Sequence, residues 1–224
     1  MFKISMNDID RLFKAISEVD TLYLPIERGE QIEFYAYDEE AKVRLDALHT
    51  VKSAKDAFLP NCETMMKFKV EGKNIEVEET ARVEEEFVIF GVRACDARSF
   101  SILDKVYLSD PVDTFYAARR EHGVVVSMAC NRPEETCFCN KFDIDATKPE
   151  GDVVTWIVGD ELFWEAQTEK GEALTEKVKS VLTDADSAAV DKQREEVKAI
   201  MDKLPLNSMD MEYLKGADMM ELFN

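Results

Sequence analysis

The stretch EFVIFGV at residues 86–92 is a nearly continuous apolar run, and VVVSMA at residues 124–129 is a second one. Runs of this kind are typical of strands that are buried on both faces of a sheet. Between them, apolar residues recur at helical spacing over residues 98–108, and a second helical segment follows at 112–121. The order strand, helix, strand predicts a right-handed parallel βαβ unit over residues 86–130.

The segments outside this unit predict antiparallel hairpins and further helices. Strand-like segments flank short turns in three pairs, at 21–26 with 31–37, 65–70 with 75–78, and 153–158 with 161–166. The second pair alternates apolar and polar residues, as a hairpin with one solvated face would. Helical spacing predicts an N-terminal helix from Asn7 or Asp8 to Asp20, and C-terminal helices at 171–182, 187–204 and 210–223. The expected fold class is mixed α/β, with a central parallel βαβ unit, antiparallel hairpins and C-terminal helices.

The predicted elements divide the chain into two parts. Residues 1–182 are expected to form an α/β domain that contains the cysteines, including a cysteine loop at 130–139. Residues 183–224 are expected to form a helical arm, because their alternating acids and lysines are typical of a solvated helix face. Pro205 breaks the long helix of this arm.

The charge of the chain limits its partners and its location. There are 28 Lys and Arg residues against 47 Asp and Glu residues, so the net charge is −19. Such a surface repels the phosphates that dominate nucleic-acid affinity, so nucleic acid is not an expected partner. No segment approaches the roughly 20 apolar residues of a membrane helix, and the first residues carry acids where a signal peptide is apolar. We expect a soluble cytoplasmic protein without membrane contact.

Four of the five cysteines follow the two buried strands. Cys95 comes just after the first strand, and Cys130 directly follows the second. Parallel neighbours lie about 4.8 Å apart, so both thiols would reach one edge of the sheet. Cys137 and Cys139 are two residues apart, and in an extended segment they would point the same way. The sequence therefore predicts a four-thiol site at this edge, and Cys62 is not expected to belong to it.

Three chemical interpretations of the four thiols remain open at this point. Four thiolates suit an iron–sulfur cluster or a tetrahedral zinc ion, because both accept an all-sulfur ligand set. The spacing matches neither the paired C-x₂-C pattern of zinc sites nor the ferredoxin pattern. Buried free cysteines, which pack as small hydrophobic residues, would give the same pattern.

Basic residues concentrate around the cysteines. Residues 93–132 carry six bases against five acids, a local charge of about +1 in a chain of net charge −19. The bases are Arg93, Arg98, Lys105, Arg119, Arg120 and Arg132, and the acids are Asp96, Asp104, Asp110, Asp113 and Glu121. This environment is expected to lower the thiol pKa values and to stabilise an anionic cluster. Arg119 and Arg120 would also be favourable at a helix C-terminus without any such role.

The cysteine region resembles a known family of proteins. Its distinctive segments are GVRACD at 91–96, FYAARRE at 115–121 and CNRPEETCFC at 130–139. Together they resemble the N-terminal part of the iron–sulfur subunits of anaerobic sulfite reductases and of the β subunits of sulfhydrogenase-type NiFe hydrogenases. The resemblance covers most of residues 1–182. Members of this family are iron–sulfur electron carriers that pass electrons between flavin-containing and catalytic subunits.

The resemblance implies a cofactor and its ligands. It implies a [4Fe–4S] cluster held by Cys95, Cys130, Cys137 and Cys139. It further implies a set of charged residues around the cluster that bond its sulfur atoms or fix the loops, namely Arg93, Asp96, Arg119 and Arg120.

The function implied by the resemblance is electron transfer or docking within a cytosolic multisubunit oxidoreductase. Flavin-containing and catalytic subunits are then the expected partners, and the chain itself is not expected to be catalytic. The alternative is an interaction domain, cluster-free or stabilised by zinc, that positions a ferredoxin module against partner subunits. In relatives the C-terminal arm leads to such a module, whose C-x₂-C-x₂-C-x₃-C-P runs do not occur in this sequence.

Overall fold

Ten strands and five helices occur in residues 1–79, 85–208 and 220, the part of the chain that the computed structural model describes. The strands are β1 (Phe2–Ser5), β2 (Thr21–Arg28), β3 (Gln31–Ala36), β4 (Met66–Glu71), β5 (Asn74–Glu79), β6 (Phe87–Arg93), β7 (Gly123–Met128), β8 (Val153–Val158), β9 (Glu161–Ala166) and β10 (Thr183–Asp184). The helices are α1 (Ile9–Ser17), α2 (Ala94–Tyr107), α3 (Thr114–His122), α4 (Glu169–Val178) and α5 (Ala188–Met201).

Eight of the strands form one mixed sheet in the order β10-β1-β9-β8-β7-β6-β2-β3. Strands β2, β6, β7 and β8 are parallel neighbours, whereas β3 and β9 return antiparallel to β2 and β8 as hairpin partners. The predicted βαβ unit is confirmed as β6, α2, α3 and β7. The fold class is therefore the mixed α/β class that the sequence predicts.

Helices cover both faces of the sheet, which explains the continuous apolar run of β6. Val88 and Phe90 belong to the core under α1 and α4. Phe87 and Ile89 belong to the core on the other face, under α2 and α3. Since successive residues of a strand point to opposite faces, the positions of β6 that face the two cores are apolar, and all seven residues of the strand, including Arg93 at its end, are buried.

A β-bulge at Gly91 changes the alternation at the end of β6. Phe90 pairs with Val126 and Val92 with Ser127, so Gly91 is skipped in the register. Gly91 has φ +95°, a conformation that glycine adopts without a steric penalty. Beyond the bulge Arg93 pairs with Met128, a residue of the core on the α1 side. The extra residue thus turns Arg93 to the face that a regular strand would have given to Val92.

The hairpin of β4 and β5 forms a separate two-stranded sheet. Phe68 lies opposite Val77 and Val70 opposite Ile75, so these four apolar residues share one face. They are 55–69% exposed. The hairpin itself is confirmed. The prediction that only one of its faces is solvated is wrong, because the apolar face is exposed and no other helix or strand of the described ranges covers it.

The C-terminal helices differ in length from the sequence prediction. Helix α4 ends at Val178, and α5 ends at Met201, before a short 3₁₀ helix at Pro205–Ser208. The predicted helix at 210–223 lies outside the described residues, apart from Met220. None of the helices in the described ranges combines the length and the apolar composition needed to span a bilayer.

Candidate cysteine site

Parallel pairing of β6 with β7 brings Cys95 and Cys130 to the same edge of the sheet. The last paired residues are Arg93 and Met128, and each cysteine lies two positions beyond one of them. Cys95 occupies the first turn of α2, because that helix begins immediately after Arg93. The strands are neighbours as the sequence predicts, and their carboxyl ends are the usual location of functional loops in such sheets.

The loop after β7 folds back towards Cys130. The backbone N–H of Cys130 donates to the carbonyl of Ala146 at 2.8 Å, which closes the base of the loop. Within it, Cys137 N–H donates to Glu134 O at 2.9 Å, and Ile144 N–H donates to Cys139 O at 3.1 Å. As a result Cys130, Cys137 and Cys139 pack against one small apolar cluster.

The four thiols are close enough to influence one another electrostatically in every pairwise combination. Burial has the largest effect on the pKa of these thiols, and the neighbouring thiols raise the pKa further. Together they raise the pKa of Cys139 to about 12. Burial, opposed in part by Arg93, raises the pKa of Cys130 to about 11. Desolvation also raises the pKa of Cys95, although the residue as a whole is exposed at the surface. For these three thiols the expectation of a lowered pKa is therefore wrong, because desolvation outweighs the local positive charge.

Arg93 is a buried cation that hydrogen-bonds to carbonyl oxygens. It is 7% exposed, and its Nη2 donates to Leu45 O at 2.6 Å and to Ala47 O at 2.9 Å. Nε donates to Ala47 O at 3.1 Å, and Nη1 donates to Ala129 O at 3.3 Å. Burial lowers the pKa of Arg93, while Cys130 and Cys95 act to raise it. These bonds fix the guanidinium beside the thiols.

No carboxylate pairs with Arg93 in the described part of the chain. Asp46 acts on it from a distance, but both oxygens of Asp46 accept hydrogen bonds from Arg44, at 2.8 and 2.9 Å. Burial of a charge is unfavourable unless a counter-charge or strong hydrogen bonds compensate it. Four hydrogen bonds to three carbonyl oxygens compensate the burial of Arg93, and Cys130, Cys95 and Asp46 are the groups that act to raise its pKa.

Backbone and side-chain groups also hold the loop between Cys130 and Cys137. The N–H of Glu134 donates to the Sγ atom of Cys137 at 3.3 Å. The carboxylate of Glu134 lies 3.2 Å from Nε2 of His49. The first contact places a hydrogen-bond donor on a sulfur atom, and the second links the loop to the segment that binds Arg93.

The other charged residues implied by the resemblance lie in different surroundings. Asp96 accepts a hydrogen bond from Ser53 Oγ at 2.7 Å, and its charge acts to raise the pKa of Cys95. Arg119 pairs with Glu63, and Arg120 makes two hydrogen bonds to Asp104 at 2.8 and 2.9 Å. Both arginines lie in the last turn of α3, which ends at His122, directly before the first residue of β7. They therefore lie at the opposite end of β7 from the cysteines.

The structure adds residues to the site that the sequence analysis does not identify. Val197 and Met201 in the last turns of α5, and Leu204 three residues beyond the helix, are buried against the cysteine loop. Their spacing of four and three residues is a helical apolar stripe, a signal that the surrounding charges conceal. The carbonyls that hold Arg93 have no sequence signature at all.

The site offers no compact grouping for a single ion. Within residues 1–79, 85–208 and 220, no group of three or more His, Cys, Asp or Glu side chains could hold one metal ion. A cavity of about 1080 Å³ opens at the carboxyl ends of the parallel strands, with Arg93, Asn131 and Arg132 in its wall, and none of the four cysteines lines it.

Comparison with known proteins gives one informative similarity. No family model matches the chain, and no solved structure matches it. Sulfhydrogenase 2 subunit beta of Pyrococcus furiosus is 30% identical over 178 residues, which cover 74% of this chain and 51% of that protein. The chain thus spans about half the length of this relative. At this coarse level, the similarity supports a relationship of the chain to sulfhydrogenase β subunits.

Proposed function

We propose that this chain is the iron–sulfur electron-transfer and docking part of a multisubunit redox complex in the cytoplasm. In this proposal Cys95, Cys130, Cys137 and Cys139 hold a [4Fe–4S] cluster. The observation that carries it is the buried Arg93 guanidinium, which faces the thiols and has no carboxylate partner in the described residues. The similarity to a sulfhydrogenase β subunit supports membership of a redox complex.

The donor set is compatible with a four-iron cluster. A cluster with four thiolate ligands is anionic, so it would compensate the charge of Arg93. Each cysteine of such a cluster ligates a different iron atom, and the sulfur atoms therefore lie farther apart than around one zinc ion. Loading must also release the thiol protons, which burial retains at neutral pH.

The surrounding residues would control the redox properties of the site. When bound, the cluster supplies one-electron oxidation and reduction. Arg93 provides a fixed positive charge beside Cys130 and Cys95, and the N–H of Glu134 donates to the Sγ atom of Cys137. Charges and hydrogen bonds of this kind at the sulfur atoms raise the reduction potential, because they stabilise the more negative reduced state.

The exterior of the site supports a docking role. Phe138 and Phe142 are about half exposed, and their ring centroids lie 5.5 Å apart on the loop that carries Cys137 and Cys139. Exposed aromatic side chains are enriched where proteins bind one another. The net charge of −19 would direct the chain to basic surfaces of its partners, which we propose to be flavin-containing and catalytic subunits.

Anaerobic reconstitution with ferrous iron and sulfide tests the cluster. We expect a brown chromophore with four iron and four sulfide per chain. Each of Cys95→Ser, Cys130→Ser, Cys137→Ser and Cys139→Ser should lose it or lower its stoichiometry. Cys62→Ser is the matched control, because that exposed cysteine lies outside the site. A folded chain that stays colourless would contradict the cluster, and stoichiometric zinc binding by the four thiols would replace it with a structural metal site.

The role of Arg93 has its own measurement. In the loaded protein, Arg93→Gln should shift the midpoint potential to a more negative value, since the fixed charge is removed. Arg98→Gln is the control, because Arg98 is at the surface and pairs with Glu150 at 2.8 Å. Equal potentials in the two variants would show that Arg93 does not act on the cluster.

A further inference from the structure

Helix α5 and Leu204, which follows it, bring an apolar surface against the cysteine loop. Val197 and Met201 are each 2% exposed, and Leu204 is 9% exposed. They form one cluster with Ala146, and Cys130, Cys137 and Cys139 pack against that cluster. The three ligand candidates of the loop therefore have one side that this C-terminal segment covers.

Polar contacts fasten the same segment to the loop. Asp145 lies 3.5 Å from Nζ of Lys198 and 3.7 Å from Nη2 of Arg194. At the far end of the loop, Asn140 Nδ2 donates to Asp202 Oδ1 at 3.1 Å. These contacts join the segment after β7 to α5 and to Asp202, the residue directly after the helix. They fix the position of the helix without using the thiols.

We propose that α5 is the cover of the cysteine site, and that Met201 and Leu204 are positioning residues that hold the loop and keep solvent from the sulfur atoms. The segment after β7 also carries Phe138 and Phe142, which are exposed and are not part of the covered apolar cluster. The protection of a bound cluster by α5 rests on the proposed function, whereas the covering of the thiols does not.

Thiol modification of the reduced, metal-free chain tests the cover. Met201→Ala should speed the alkylation of Cys139 and Cys130 by iodoacetamide by about threefold or more, because it removes the side chain that closes the site. Labelled peptides separated by mass spectrometry give the rate for each cysteine. Cys62 should keep its rate, since it is exposed and lies outside the loop.

Two matched variants separate local exposure from general loss of stability. Ile200→Ala alters the neighbouring residue, which is 45% exposed, and should leave all rates unchanged. Leu174→Ala removes a buried side chain of α4 from a different core, and it should not raise the alkylation rate of Cys139 relative to that of Cys62. Equal Cys139 rates in Met201→Ala and Ile200→Ala would overturn the proposal. If Met201→Ala does not fold, Asp145→Asn takes its place, because it weakens the contacts of Asp145 with Arg194 and Lys198 of α5. Its Cys139 alkylation rate is then compared with that of Ile200→Ala.

The loaded protein gives the second readout. After reconstitution, Met201→Ala should lose its visible absorption in air about threefold faster than wild type or Ile200→Ala, because solvent and oxygen reach the sulfur atoms. If wild type binds no cluster, the proposed function fails, and the metal-free rates still decide whether α5 covers the thiols. If wild type binds a cluster and the variants decay alike, the cover fails and the cluster remains.

Discussion

Gly91 decides on which face of the sheet a buried charge is placed. Its φ of +95° produces the bulge that turns Arg93 towards the carbonyls of Leu45 and Ala47. A regular strand would direct the guanidinium into the aromatic core under α2, where Phe87 and Phe100 lie. One residue without a side chain therefore makes the position of Arg93 beside the thiols possible.

Replacement of Gly91 by alanine should destabilise the fold by about 2 kcal/mol, because the backbone conformation is strained for any other residue. The added Cβ would also lie 3.2 Å from Cδ of Pro25. Urea unfolding measures the change. Gly29→Ala is the control, since Gly29 has φ +65° with no atom within 4 Å of the added Cβ, and it should lose only about 1 kcal/mol. Equal losses would mean that the crowding at Gly91 has no effect.

At the level of elements, the sequence predicts the centre of the fold well, for a simple reason. Strands β6 and β7 are buried on both faces, so their apolar runs are unambiguous, and parallel pairing then determines where Cys95 and Cys130 go. The positions of Arg119 and Arg120 are not predictable from local charge. Residues 93–132 include both the carboxyl ends of the strands, where the cysteines lie, and the start of β7 at the opposite edge of the sheet. Only the fold shows that the two arginines lie in the last turn of α3, at that opposite edge.

The role of α5 is hidden for a related reason. Its sequence mixes apolar residues with many charges, so that a solvated helix is the natural interpretation. The stripe of Val197, Met201 and Leu204 acquires meaning only when the loop after β7 folds against it. The hydrogen bonds of Arg93 cannot be predicted from the sequence, because their acceptors are backbone carbonyl oxygens, which every residue type has.

The contact between α2 and α3 depends on one carboxylate. Asp104 accepts hydrogen bonds from Tyr116 at 2.7 Å and from Arg120. Burial acts to raise the pKa of Asp104, but these two partners outweigh it and hold the pKa below the ordinary value of 3.8. A carboxylate with a lowered pKa stabilises the fold above its ordinary pKa, and this contribution disappears as the pH falls through the lower folded value.

Asp104→Asn should therefore destabilise the protein by about 2 kcal/mol at pH 7, because it weakens charge-assisted hydrogen bonds to partly buried partners. Below pH 4 the difference in unfolding free energy between variant and wild type should shrink, because Asp104 of the wild type begins to be protonated on unfolding, whereas the asparagine of the variant binds no proton. Urea unfolding at pH 7 and pH 3.5 gives both values. Glu39→Gln removes an exposed carboxylate that pairs with Lys14 and should show little change at either pH. A pH-independent loss for Asp104→Asn would contradict a role for its charge.

At the scale of the whole molecule, electrostatic repulsion among the acids opposes the fold. A net charge of −19 on 224 residues destabilises the compact state, because folding brings these charges together. The individual ion pairs compensate little, since most of their side chains are solvated and such pairs contribute at most about 1 kcal/mol. Added salt screens both effects, and the excess of 47 acids over 28 bases makes repulsion the larger one.

The melting temperature should accordingly rise by a few degrees when sodium chloride increases from about 0.01 M to about 0.3 M, as the screening length falls from roughly 30 Å to below 8 Å. The rise should level off above that concentration, because charges on neighbouring side chains are then already screened. Sucrose, which stabilises by exclusion from the surface, should raise the melting temperature without levelling off and serves as the control. A melting temperature that falls over the same salt range would mean that favourable ion pairs dominate, and the acidic surface would then be a source of stability instead of a site for basic partners.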